Sequence, residues 1–214
     1  MYQPAAHREN RLEVQQAFIH AHPLGILVTV GAGGLTANAL PFLLDSARGA
    51  NGTLLAHCAR ANPQWHDHDP SVGPLVIFQG PQAYITPSWY PEKSLHGKVV
   101  PTWNYISVHV YGALTVRDDP AWLRWQIGAL TEKMEKRRAA PWSIDDAPRS
   151  FIDALIQNIV GLEIEILRIE GKWKLSQNRS KADQAGVAAG LRAEDKGEEH
   201  SLMADMVAEQ ISGE

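Results

Sequence analysis

Apolar positions along this chain change their period several times, and those changes divide it into elements. Asn10 and Glu13 have the spacing of a capping box, and Val14, Ala17 and Phe18 then share one helical face until His22-Pro23 ends the pattern. A first helix is expected there. Ile26–Val30 is β-rich, Gly31–Gly34 supplies a turn, and Leu35–Leu44 continues as a second extended apolar run, which predicts a hairpin. After a polar turn at Asp45–Gly52, Thr53–Ala59 and Leu75–Gln79 read as further strands. Between them, Asn62-Pro63 has the chemistry of a short helical turn, a capping side chain followed by proline at the first position.

Gln82–Thr86 reads as a short strand, Pro87–Val99 as an irregular loop, and Thr102–Val116 as the longest strand of the chain. Helices are expected from Asp119-Pro120 to about Arg138 and over Arg149–Asn158, with strands following at Gly161–Ile169 and Lys172–Leu175. Leu202, Met203, Met206 and Val207 recur at helical spacing in the tail, which predicts a docked or partner-binding helix. Many short strands, with helices at the ends and late in the sequence, predict an α+β fold on an antiparallel β-barrel, not alternating βαβ units.

Composition narrows the function classes. A chain of 214 residues with 44% hydrophobic and 21% charged residues can build one substantial core. Its net charge of −4 gives no general attraction to nucleic acid or to an anionic membrane. Cys58 is the single cysteine, which excludes an intrachain disulfide and a multi-cysteine metal site. No apolar run approaches the roughly eighteen residues of a membrane span, and MYQPAAHREN lacks a signal-peptide core, so a cytoplasmic location is expected.

Strand alternation makes VPTWNYISVHVYG, Val100–Gly112, the most informative segment. Ile106, Val108 and Val110 point one way, into a core, while Trp103, Tyr105, Ser107, His109 and Tyr111 point the other. That second face suits a subunit interface or a planar ligand, and the residue types alone favour the interface. His57, Arg60 and Asn62 fall at a strand end and turn, where arginine and free N–H groups can grip a phosphate, although a capped turn with a solvated arginine is the plainer reading. His66-Asp67-His68-Asp69 offers metal-ligand residue types, but Pro70 marks a surface turn. Gly31–Gly34 has no following Gly-Lys-Ser/Thr and reads as a hairpin turn. Lys133, Lys136, Arg137 and Arg138 read as a solvated helix end before a DNA contact. Lys174–Arg179 packs five polar side chains into six residues after a strand, which marks either a site or a capped turn.

Four segments together, AHCARANPQW at 56–65, YITPSWY at 84–90, VPTWNYISVHVYG at 100–112 and KLSQNRS at 174–180, resemble the PaiB family of FMN-binding negative transcriptional regulators. The resemblance runs from residue 1 to about 192 and leaves the tail at 193–214 as a helical appendage. It implies an FMN-binding split barrel related to the pyridoxamine-phosphate oxidase superfamily, assembled as a homodimer with FMN near the interface. On that resemblance Ala37, Asn38 and Leu40 would meet the isoalloxazine ring, His57, Arg60 and Asn62 the phosphate, and Trp103 and Tyr105 would flank the ring. Lys174, Gln177 and Arg179 would close the site, with the second subunit as one source of them. The implied role is regulation through flavin or ligand sensing. A flavin-dependent oxidoreductase, with His109 or Tyr111 delivering a proton, and a haem-binding relative are the alternatives, and direct DNA binding finds no helix-turn-helix to support it.

Overall fold

A computed structural model describes residues 1–194 and 196–212. The elements in chain order are β1 Arg8–Glu9, α1 Leu12–Ala21, β2 Leu24–Gly31, β3 Gly34–Pro41, β4 Leu43–Asp45, β5 Thr53–Ala59, β6 Leu75–Ile85, α2 Lys93–His96, β7 Thr102–Arg117, α3 Pro120–Glu135, α4 Arg149–Ile156, β8 Ile159–Lys174, α5 Lys181–Glu194 and α6 Glu198–Ser212. Eight strands make a sheet in the order β3-β2-β6-β7-β8-β5-β4, with β1 on β8. The registered pairs are antiparallel, as an α+β split barrel requires.

Contacts gather the chain into two compact units. One comprises Met1–Arg11, Gln79–Val108 and the chain from Glu170 on; the other comprises Leu12–Phe78 and His109–Ile169. In the second unit the β2–β3 hairpin forms with Gly31 opposite Gly34, as the glycine turn predicts. Leu27, Leu44, Leu54, Leu55, Val76, Phe78, Leu162 and Ile164 are buried in its core. Leu123, Ile152 and Ile156 join α3 to α4, with Trp122 and Ile159 against them. In the first unit α5 brings Gly186 and Gly190 against Trp89, so close that a Cβ at Gly190 would sit 2.4 Å from the indole. Glycine at these two helical positions is a packing requirement. Val187, Leu191, Met203 and Val207 are buried, so the tail helix is a docked one.

Three expected boundaries move. The apolar run Leu35–Leu44 is two strands, β3 on β2 and β4 on β5, because Pro41 has no N–H to continue a ladder and fully buried Phe42 instead donates its N–H to the Pro23 carbonyl at 2.8 Å. Leu75–Gln79 and Gln82–Thr86 merge into β6 despite Gly80-Pro81. β2 pairs with β6 only at Leu75–Phe78, so Pro81 lies where that ladder no longer asks for a donor. Gly161–Ile169 and Lys172–Leu175 likewise join as β8, and β1 pairs across the Gly171-Lys172 position. The Pro87–Val99 loop contains a helical turn at Pro87–Trp89 and the four-residue α2.

Candidate functional site

The residues expected to hold a ligand fall into two groups, one in each unit. In the unit containing Leu12–Phe78, β5 ends at Ala59 and the chain turns through Asn62, whose side chain accepts from the Gln64 N–H at 3.0 Å and caps the helical turn Pro63–Trp65. This is the turn that Asn62-Pro63 predicts. His57 is half-buried and its Nδ1 lies 2.8 Å from the Gln126 Oε1 of α3. Gln126 is completely buried, and its Nε2 has no hydrogen-bond acceptor among the described residues.

Arg60 is held entirely by protein acceptors. Its Nη1 and Nη2 bond the two Asp118 carboxylate oxygens at 3.0 and 2.5 Å, and its Nε and Nη2 bond the Gln157 and Ile159 carbonyls at 2.9 and 3.0 Å. Hydrogen bonding to this guanidinium holds the Asp118 carboxyl below its ordinary range. Such a pairing ties the end of β5 to the start of the α3 segment and to β8.

Asn38 and Leu40 point to the inner face of the hairpin and Ala37 to the outer one, as period-two alternation dictates. Asn38 Nδ2 donates to the Gln64 Oε1 at 2.8 Å. Gln64, 2% exposed, donates in turn to the Leu27 and Thr36 carbonyls and to the Thr29 hydroxyl. One side chain from the turn thereby fixes both strands of the hairpin. Sequence reasoning passed over Gln64 because glutamine is mostly a surface residue; its place two residues after a capping asparagine is the signal that was there to find.

The outer hairpin face is apolar and largely exposed among the described residues. Register sets Leu24 opposite Pro41, Ile26 opposite Ala39, Val28 opposite Ala37 and Val30 opposite Leu35. Leu24, Ile26 and Leu35 are exposed. β3 is also the terminal strand of the sheet, so its far edge has no strand partner among the described residues.

In the unit containing Gln79–Val108, Ile106 and Val108 are fully buried and Trp103 is half-exposed, as alternation predicts; fully buried Asn104 joins the inward set and Ser107 is buried on the opposite side. Tyr84 meets Trp103 edge to face at 6.0 Å. Lys174 donates to the Thr102 hydroxyl at 2.5 Å, and its ammonium lies 6.0 Å from the Tyr105 ring centre. Burial pushes Lys174 below the ordinary lysine range; Tyr105 opposes this, and the neighbouring charges of Lys172 and Arg179 add to it. Gln177 accepts from the Leu175 N–H and donates to the Trp173 carbonyl, and its Oε1 lies 2.9 Å from His7 Nδ1. It is a turn-holding residue. Arg179 lies over the Tyr90 ring at 4.7 Å.

The other candidate motifs make local contacts. The His66–Asp69 turn docks on the hairpin tip through Asp67 to the Ala32 N–H and through the Asp69 N–H to the Val30 carbonyl. Among the described residues no group of three His, Cys, Asp or Glu side chains could hold a metal, and no helix is long and apolar enough to cross a membrane. In the basic cluster Lys133 lies 3.1 Å from His20 Nδ1, and Arg138 pairs with Glu135.

Comparison with known proteins adds a family. Residues 1–168 match the model described as "Putative FMN-binding domain". The chain is 32% identical over 214 residues to the Bacillus subtilis protease synthase and sporulation protein PAI 2, covering 99% of this chain and 100% of that one. It is 35% identical to an uncharacterised protein of Emericella nidulans, covering 89% and 90%. Among solved structures, a conserved hypothetical protein of Mycobacterium tuberculosis aligns with TM-score 0.57 at 13% identity, over 84% of this chain and 94% of that one. The flavocytochrome Anf3 of Azotobacter vinelandii aligns with TM-score 0.54 at 13% identity, over 78% and 68%. These structural likenesses show the fold.

Proposed function

The chain belongs to the PaiB family of FMN-binding split-barrel proteins, and from that premise we propose that it binds flavin mononucleotide as a homodimer and reports flavin or ligand occupancy to a regulatory partner. The observation that carries the reading is the hairpin edge. β3 offers an edge without a strand partner among the described residues, small side chains at Ala37 and Ala39, and an Asn38 locked by Gln64. A flavin's pyrimidine rim alternates hydrogen-bond donors and acceptors, which is the pattern an extended backbone edge can match. The buried Gln126 Nε2 beside His57 supplies a donor still in need of an acceptor, so the residues present fit a ligand rich in oxygen and nitrogen acceptors.

Ala37, Asn38 and Leu40 would hold the ring by backbone, and His57 and Asn62 would approach the ribityl chain. Arg60, committed to Asp118, would position that turn. Trp103 and Tyr105, in the unit containing Gln79–Val108, are flat aromatic side chains of the kind that stacks on a planar ligand. Bound flavin would supply reversible one- or two-electron transfer. Reconstitution of the purified chain with FMN is expected to give one bound flavin per chain, with its fluorescence quenched; no quenching and no retained visible absorbance would count against the proposal.

Two copies joined through the outer hairpin face would cover Leu24, Ile26, Val28 and Leu35, a contiguous apolar surface of the sort monomers rarely expose. Ile26→Asp would then place a charge in that face and convert the dimer to monomer in analytical ultracentrifugation at micromolar concentration. A wild-type chain that sediments as a monomer sinks the dimer.

A further inference from the structure

We propose that Lys172, Lys174 and Arg179 form a binding site for a phosphate monoester. The site itself stands on the geometry below, and only the identification of the phosphate as the flavin's own rests on the flavin reading.

Lys172 and Lys174 are two residues apart on β8 and so share a face. Both ammonium groups approach the Tyr105 ring, at 5.2 and 6.0 Å, and Lys172 also lies 5.6 Å from the Tyr2 ring. Lys172 is only 9% exposed, an unusual state for a lysine. Its ammonium has aromatic faces around it and no hydrogen-bond acceptor or carboxylate partner among the described residues. Beyond it the chain turns sharply. Ser176 adopts φ 66°, a left-handed conformation that serine rarely takes, and its hydroxyl is held by fully buried Asn104 at 2.9 Å. The Arg179 N–H bonds the Ser176 carbonyl at 2.9 Å, so the turn at Ser176 also fixes the Arg179 backbone.

Nearby carboxylates are committed elsewhere. Glu170, two residues before Lys172, pairs with the chain's amino terminus. Asp183 is buried and accepts from the Glu92 N–H at 3.2 Å. Lys172 and Lys174 thus share one strand face and one aromatic ring with no ion pair among the described residues to offset them; burial is the main cause that lowers Lys174 below the ordinary lysine range, and the charges of Lys172 and Arg179 add to it. Burying like charges is unfavourable, and aromatic faces repay only part of the cost. A dianion with three acceptor oxygens would balance the two lysine charges and leave an oxygen for Arg179, whereas a single carboxylate would leave net positive charge on the lysines. Local strain held in place by a buried Asn–Ser pair is the expected mark of a turn kept for binding.

Two sources of such a group exist, the phosphate of FMN and that of a separate ligand, and one set of measurements separates them. Dissociation constants for FMN and riboflavin are measured by fluorescence quenching on the full chain and on Lys172→Gln and Lys174→Gln, with thermal midpoints taken in inorganic phosphate. If the cluster holds the flavin phosphate, the wild-type chain prefers FMN over riboflavin by at least about tenfold, and each variant removes most of that preference while riboflavin binding persists. If it holds a separate phosphate, FMN affinity is unchanged, but inorganic phosphate raises the midpoint of the flavin-loaded wild type and not of the variants. Either result supports the site. A chain in which neither lysine affects the FMN preference or the phosphate-induced shift overturns it. Absence of all flavin binding would defeat the flavin proposal alone, since the phosphate shift still reads the cluster. Should Lys172→Gln fail to fold, Lys174→Gln and Arg179→Gln carry the test, because both positions are less buried.

Discussion

Replacing Gln64 with alanine is expected to destabilise the protein by about 3–5 kcal/mol and to abolish FMN binding. The side chain serves the Leu27 carbonyl at 3.0 Å, the Thr29 hydroxyl and the Thr36 carbonyl at 3.2 Å each, and Asn38 Nδ2 at 2.8 Å. Alanine would leave the buried Leu27 carbonyl and Thr29 hydroxyl without their partner, at about 1–3 kcal/mol for each group left unpaired, with a smaller loss at the partly buried Thr36 and Asn38, less whatever the hairpin recovers by relaxing. The functional loss follows from the same contacts, because Asn38 and the β3 edge are the proposed ring seat. Gln64→Leu fills most of the volume without the hydrogen bonds, so it should be nearly as damaging as alanine if the polar term dominates. Urea unfolding with an unchanged m-value reads the stability, and fluorescence quenching reads the flavin. A loss under 1 kcal/mol for Gln64→Ala would show that the hairpin is held by its ladder alone.

A second large effect is expected at Glu163, whose carboxylate is almost completely buried. Its Oε1 accepts from Arg48 at 2.7 Å and from the Trp122 indole at 3.3 Å, and its Oε2 accepts from Arg117 Nε at 2.6 Å. Burial alone would raise this carboxyl, but the hydrogen bonds and charges of Arg48 and Arg117 outweigh it and hold it below the ordinary glutamate value. The pair of arginines therefore contributes stability that is present at neutral pH and is lost as pH falls below the ordinary glutamate value through the lowered one. Replacing both Arg48 and Arg117 with alanine leaves a buried carboxylate with only an indole partner and should cost about 3–5 kcal/mol at neutral pH. In that variant burial is unopposed and the carboxyl rises instead, so its deficit against the wild type should shrink on acidification as the group takes up a proton. Chemical unfolding at neutral and mildly acidic pH checks the sign. A deficit that stays constant with pH would mean that the loss comes from packing of the arginine stems rather than from the charge.

Much of the architecture is local in origin, and for that reason the sequence reading reaches it. The Asn62-Pro63 turn forms where a capping side chain and a proline without an N–H coincide, and Asp119-Pro120 starts α3 in the same way, with Asp119 accepting from the Ala121 N–H. Ile106, Val108 and Val110 are buried because a strand alternates every two residues regardless of what surrounds it. The boundaries that moved are those where a neighbour overruled a local breaker. Gly80-Pro81 does not stop β6, because the β2 ladder ends before it. Glu170-Gly171 does not stop β8, because β1 supplies partners there.

The candidate site was legible as a set of segments and not as a set of partners. KLSQNRS could be marked as dense in polar groups, and tertiary structure sorts them: Gln177 spends its amide on the turn, while Lys174 and Arg179 remain without a carboxylate. Lys172 enters only once Tyr2 and Tyr105 are seen around it, although a lysine two residues before another at the end of an apolar strand was its trace in the sequence.

The sequence by itself determined the kinds of element, the faces of the long strand and the family, since these follow from periodicity, capping chemistry and rare residues in fixed order. Only the tertiary structure decided which charges are spoken for. Arg60 and Asp118 lie 58 positions apart and Gln64 and Leu27 lie 37 apart, and no local rule selects such pairs. Coulombic and hydrogen-bond partners are set by distance in space and by the loss of water around them, and both exist only after the strands have paired.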